Sequence, residues 1–243
     1  MMDQDKTLLS RIGQSWRNAF RDIVLIVVSI TIAFTLDAWW NGRQEDRRAS
    51  RHRAALQHEF AEILVGLKSD QEDITKASAA TRELLREMGG RRPQHFADSL
   101  SRLINSSYDV GIIVSQGGAL SAILSSGEIR LIRDDSLAYM LAHWPVVVEG
   151  LRYDNAILTA SREQELRTRL ITLGVPESAI ATNLDGLNLP PTRFRFDPTV
   201  ILSDPGIESM FVSRLVRLRR LDEQLEMAVR RVEHIRERLQ RTD

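Results

Sequence analysis

Ile23-Val24-Leu25-Ile26-Val27-Val28-Ser29-Ile30-Thr31-Ile32-Ala33-Phe34-Thr35-Leu36 is a run of fourteen residues without a charge. Alone it is short, because a helix needs about 17–25 mainly apolar residues to cross the hydrocarbon of a bilayer. Adding Asp37-Ala38-Trp39-Trp40 brings it to about 27 Å at ~1.5 Å per residue, a thin but adequate span. The flanks fit. Trp16 on one side and Trp39 and Trp40 on the other stand where aromatic belts meet the two interfaces. Arg17, Arg21, Arg43, Arg47 and Arg48 lie just outside, within reach of lipid headgroups. The run therefore predicts one transmembrane helix over residues 22–40.

Two other readings compete. A buried core helix of a soluble protein passes the same length test, but this run is rich in β-branched residues and has no amphipathic alternation. A cleaved signal peptide needs small residues at its cleavage site, and here bulky Trp39-Trp40 follows. An uncleaved signal anchor fits better. Asp37 is the odd residue. Ionisable groups inside a membrane are functional by default, yet Asp37 sits in the last turn beside two tryptophans, where it reaches interfacial water. Ser29, Ala33 and Asp37 share one helical face. Small residues on a face let two helices approach closely, so self-association is expected along this stripe. The arginines flanking the run are nearly balanced. The short leading tail, residues 1–21, favours an N-terminus inside and a periplasmic C-terminal domain at a bacterial inner membrane.

Downstream, the pattern changes from apolar to heptad. No proline occurs before Pro93, and residues 41–90 read as one long helix continuing the span. Leu56, Phe60, Ile63, Leu67, Ile74, Ala77, Leu84 and Met88 fall on a seam, with polar Asp70 and Thr81 filling its gaps. Gly89-Gly90 is a stop signal. Intervening charges such as Glu59 and Glu62 read as a solvated face. Residues 206–243 repeat the pattern with Phe211, Leu215, Leu218, Leu225, Val229, Val232 and Leu239. Leu221, Ala228 and Ile235 widen the stripe on one side, and Asp204-Pro205 supplies a helix start. Arginines between 214 and 220 read as a solvated or lipid-facing side. The two long helices are expected to pack antiparallel within one chain; a parallel coiled coil between chains is the alternative.

The middle, residues 91–173, is expected to be a small helical region. One helix is read over 94–107, a second over 119–126, a third over 134–144, and a continuation beyond Pro145 to Leu173. Glu128 to Ile132 is a connector that can be extended. Gly127 is expected in a left-handed C-cap conformation, with Asp134 or Asp135 capping the next helix. This corner is the most structurally demanding spot; a partner-binding corner is the functional alternative. Residues 174–205, with five of the seven prolines, read as a long surface loop. The fold class is thus all-α: a transmembrane helix continuing into a long helix, packed with a long C-terminal helix and a small helical middle region.

Composition excludes several chemistries. The chain has no cysteine, which removes disulfides, thiolate nucleophiles and Cys-ligated metal sites. Lys+Arg and Asp+Glu both number 33, so no net charge draws the chain to nucleic acid. The histidines show no metal-binding spacing, and His58 with Glu62 is a lone pair. Ser115-Gln116-Gly117-Gly118 lacks both a nucleophile elbow and a P-loop lysine, and reads as a helix-entry turn. No catalytic, cofactor or metal residue is assigned.

The segment from Asp22 to Asn41 resembles the N-terminal signature of an uncharacterised bacterial family of single-span membrane proteins, a domain of unknown function. Asp22, Ile32, Ala33, Asp37, Trp39 and Asn41 match its pattern, and Ser29 stands where that family often has glycine. Ser125-Ser126-Gly127-Glu128-Ile129-Arg130-Leu131-Ile132-Arg133-Asp134-Asp135-Ser136-Leu137 is similar to a second stretch of the family. Trp40 and the arginine-rich composition depart from it. The resemblance implies a membrane protein and brings no activity with it. The expected role is a membrane-anchored envelope protein that self-associates or binds a membrane or periplasmic partner. The alternatives are a ligand-binding sensor or enzyme with a cleft between the middle helices and the 174–205 loop, and a subunit of an oligomeric transporter or channel.

Overall fold

The computed structural model describes residues 4–90, 97–111, 117–175, 197 and 199–241; for 4–24, 97–99 and 161–163 it describes the backbone alone. The described residues are helical, with no strand among them. Helix α1 covers Gln4–Gly89. The other helices are α2 (Ala97–Tyr108), α3 (Gly118–Ser125), α4 (Asp135–Ala160), α5 (Arg167–Thr172), α6 (Thr199–Leu202) and α7 (Pro205–Gln240). Contacts divide the chain into two compact units, Met1–His52 and Arg53–Asp243.

In the first unit the apolar run is helical and uncovered. Leu25, Ile26, Val27, Val28, Ile30, Ile32, Phe34 and Leu36 each expose between 47% and 72% of their surface. This stretch lies within a helix long and apolar enough to cross a membrane. None of these side chains is buried, which weighs against the buried-core reading. Its hydroxyls turn inward on the helix: Ser29 Oγ donates to Leu25 O at 2.8 Å, and Thr31 Oγ1 to Val27 O at 2.8 Å. Such back-bonding satisfies polar groups without water.

The second unit is a helical bundle around the expected seams. Leu56, Phe60, Leu67, Ile74 and Ala77 of α1 are buried. They pack with Leu218, Leu225, Val232 and Leu239 of α7 and with Leu137, Leu141 and Trp144 of α4. The antiparallel arrangement follows from the cross-links. Gln57 Nε2 donates to Leu239 O at 2.6 Å, and further along Lys68 meets Glu233 at 3.2 Å. Rising numbers on α1 meet falling numbers on α7, within one chain. Helix α4 also runs antiparallel to α7, with Asp134, His143 and Asp154 opposite Arg238, Arg231 and Arg220. Phe60 and Trp144 make a tilted ring contact at 5.7 Å. A second core, around Leu84, Leu100, Ile104, Leu166, Leu170, Ile207 and Phe211, closes the other end.

Several expectations change. Leu221, Ala228 and Ile235 are fully buried, whereas Leu215 and Val229 are only partly so. Helix α7 therefore aims what looked like the edge of its stripe at the core, because it packs against α1 and α4 together. Glu128–Leu131 is a 3-10 helix rather than an extended connector. Helix α4 passes through Pro145, and the continuation to Leu173 is broken by a π-helical turn at Ser161–Leu166. The ends of the expected 174–205 loop belong to the core: Val175, Ile201 and Leu202 are buried, and the latter two lie in α6. Most of that loop, together with Trp16's side chain, residues 91–96 and Ser115-Gln116, lies outside the described residues.

Candidate functional site

The corner expected at Gly127, Asp134 and Asp135 forms as a pair of caps. Helix α3 ends at Ser125, and Gly127 adopts φ 71°, which only glycine takes without strain. The cap is Asp134, not Asp135: Asp134 Oδ1 accepts from Leu137 N at 3.0 Å. Its two oxygens also accept from Arg238 of α7 at 2.9 and 2.8 Å. That guanidinium, with help from the Leu137 amide, holds the Asp134 carboxyl below the usual range. Asp135 opens α4 and is exposed. The corner is a structural tie between α3, α4 and α7.

Two charged residues expected on solvated faces are buried. Glu59 is 8% exposed. Its carboxylate accepts from Ala119 N at 2.6 Å and from Leu120 N at 3.2 Å, so it caps α3 from a different helix. Gly117 makes room for it: a Cβ there would overlap Glu59 Cδ, Cγ and Oε1. Arg214 is 3% exposed. It donates to Ser107 O at 2.7 Å and to Leu158 O at 3.0 Å, and lies 3.8 Å over the Tyr108 ring. Its neighbours Arg219 and Arg220 do lie exposed, paired with Glu223 and Asp154.

Asp70, the polar residue on the α1 seam, is half-buried. Burial and the neighbouring Asp73 raise its pKa to about 6. Among the described residues, no group of three His, Asp or Glu side chains is placed to hold a metal ion. His58 and Glu62 stay exposed, 3.6 Å apart.

Among the described residues, a concave region that gathers polar groups over an apolar wall lies between α4 and α7. It encloses about 320 Å³ and is lined by His143, Val147, Gly150, Gln224, Met227 and Arg231 among others. Arg231 Nη1 lies 3.2 Å from His143 Nδ1. A guanidinium can only donate, so Nδ1 accepts and the imidazole proton sits on Nε2. A second hollow of about 360 Å³ near Gly117, Ser121 and Trp144 carries no charged group. No local spacing in the sequence marks the first groove, since His143 and Arg231 are 88 residues apart.

Ser29, Ala33 and Asp37 are all exposed on α1. Asn41 Nδ2 donates to Asp37 Oδ2 at 3.2 Å, extending the stripe by one polar pair. Of the expected interface anchors, Trp39 and Trp40 are exposed at 52% and 64%, and Arg43 lies 4.5 Å over the Trp39 ring. A shallow hollow among Trp39, Trp40, Arg43, Gln44 and Arg47 accompanies them. Comparison of the chain with protein-family models, with curated proteins and with solved structures finds no match.

Proposed function

We propose that this chain is a single-span, membrane-anchored helical protein of a bacterial inner membrane, belonging to the uncharacterised family its first helix resembles. Its bundle is placed on the periplasmic side, and its work is association: with copies of itself along Ser29, Ala33 and Asp37, or with another envelope protein. One observation carries the reading. The apolar stretch from Leu25 to Leu36 is exposed on all its faces while the heptad part of the same helix is buried in its own bundle. Soluble proteins rarely leave contiguous apolar patches beyond a few hundred Å² uncovered, and lipid is the cover that needs no partner chain. Inward-bonded Ser29, Thr31 and Thr35 and the tryptophan–arginine pair support the same setting.

Alkaline carbonate extraction of membranes tests the anchor. The chain should remain with the lipid, and release into the supernatant refutes the span. A C-terminal reporter fusion then decides the side. Replacing Ala33 with Leu should weaken oligomers measured in a bilayer; unchanged oligomers remove the stripe from the account.

A further inference from the structure

The groove between α4 and α7 has features that the packing of the bundle does not require. Antiparallel pairing puts His143 and Arg231 at one end and Gly150 and Gln224 at the other. Seven helical residues separate the ends on each helix, about 10 Å. Leu151 and Ala228 form a buried floor, with Val146 and Met227 as walls exposed at 62% and 56%. Gly150 stands in the interior of α4, where glycine costs helix stability relative to alanine. No close approach demands it, since a Cβ there would meet nothing within 4 Å. Its effect is to leave the groove open. The Gln224 Oε1 atom is buried and has no hydrogen-bond partner.

We propose that this groove binds a short amphipathic anion, a fatty carboxylate, with its head at Arg231 and its chain toward Gly150. Arg231 is held by an imidazole rather than a carboxylate in the contacts that fix it. Its guanidinium keeps donors for a bidentate carboxylate. Val146, Val147 and Met227 take the chain. Small-molecule sites are commonly clefts of about 300–1,000 Å³, mainly apolar with a few placed polar groups, and this groove lies at the lower end of that range.

The test uses the full chain in phosphatidylcholine nanodiscs and a decanoate carrying a photoactivatable diazirine, with its methyl ester as the uncharged control. Mass spectrometry locates the label. The expected result is carboxylate-dependent labelling of α4 between His143 and Leu151 and of α7 between Gln224 and Arg231, at least tenfold above the ester. Arg231→Gln should cut it about tenfold. Gly150→Leu fills the groove from an open position and adds a better helix former, so labelling should be lost while the melting temperature holds or rises. Labelling confined to Leu25–Trp40 overturns the proposal. So does equal labelling by the ester, or full labelling of Gly150→Leu.

Discussion

Gly117→Ala is expected to destabilise the bundle only while Glu59 is present. The backbone of Gly117 is extended, φ −90° and ψ 160°, a conformation any residue adopts. The obstacle is the Glu59 carboxylate, which a Cβ would overlap. Turning the Glu59 side chain away relieves the clash, at the cost of its bonds to Ala119 N and Leu120 N. A hydrogen bond to a charged group contributes about 1.5–3 kcal/mol, and a lost helix cap costs about 1 kcal/mol. Gly117→Ala and Glu59→Ala should therefore each cost about 2 kcal/mol. The double variant should cost about the same 2 kcal/mol, since there is one contact to lose, and alanine in the emptied space recovers about 0.4–1 kcal/mol from the unfolded chain. Urea unfolding of the full chain in mild detergent, followed by helical circular dichroism, measures the four corners of this cycle. Additive losses, near 4 kcal/mol for the double variant, refute the coupling and with it the capping of α3 by Glu59.

Arg214→Met should cost about 3 kcal/mol, because it removes two buried hydrogen bonds, to Ser107 O and Leu158 O, and a desolvated cation–π contact. Arg214→Lys should recover only part, as an ammonium lacks the fork that reaches both carbonyls; a loss under about 1 kcal/mol for Met returns Arg214 to a solvated face. Asp70 has a pH signature. Its folded pKa of about 6 lies above its ordinary 3.8, so the folded chain holds this proton more tightly. Stability from this group is present below pH 4 and is lost as pH rises through 6. Asp134 and Asp204 act oppositely: Arg238 and Arg169 lower their pKa, so their contribution is present above the ordinary carboxylate value and is lost as pH falls below it. Asp70→Asn should flatten the fall between pH 4 and 6 in denaturation curves and leave the loss at lower pH; an unchanged slope contradicts the burial of Asp70.

What could be read from the sequence was what repeats. Leu56, Phe60, Leu67, Ile74 and Leu84 recur at steps of four, seven and ten, sums of three- and four-residue steps, and all are buried. Periodicity needs only neighbours along one helix. Capping is local too: Asp204 was recognisable as a helix start and Asp134 as one of two candidates, each side chain bonding an amide three residues on. The misplaced residues owe their roles to distant chain. Glu59 reaches across 60 residues to Ala119 and Arg214 across 107 to Ser107. Charge on a helix reads as solvated when its partner's position is unknown. Ile201 and Leu202 were lost in the same way, as two apolar residues among prolines give no period to follow. The groove was invisible because it lies between helices, and a lone glycine such as Gly150 carries no pattern of its own.

Glu59 and Arg214 follow one rule. Helix α3 has eight residues and α2 twelve, short enough that neither is stable alone in water. Helix α3 has no cap from its own N-cap residue, Gly117. The first amides of a helix carry partial positive charge and the last carbonyls partial negative charge. The long helices supply the opposite sign at each end. Glu59 of α1 places a carboxylate on the amides that open α3, and Arg214 of α7 places a guanidinium on a carbonyl in the last turn of α2 and on Leu158 O, just before the π-helical turn. Exchanging the signs would put charge against the dipoles of α2 and α3. The middle region is therefore held by charges that belong to α1 and α7 rather than by local capping alone, so loss of either charge should loosen α2 and α3 before the α1–α7 seam. Hydrogen exchange in Glu59→Ala would show this as fast amides in Gly118–Ser125 with Leu56–Ala77 still protected, and equal exposure of both segments would reject the hierarchy.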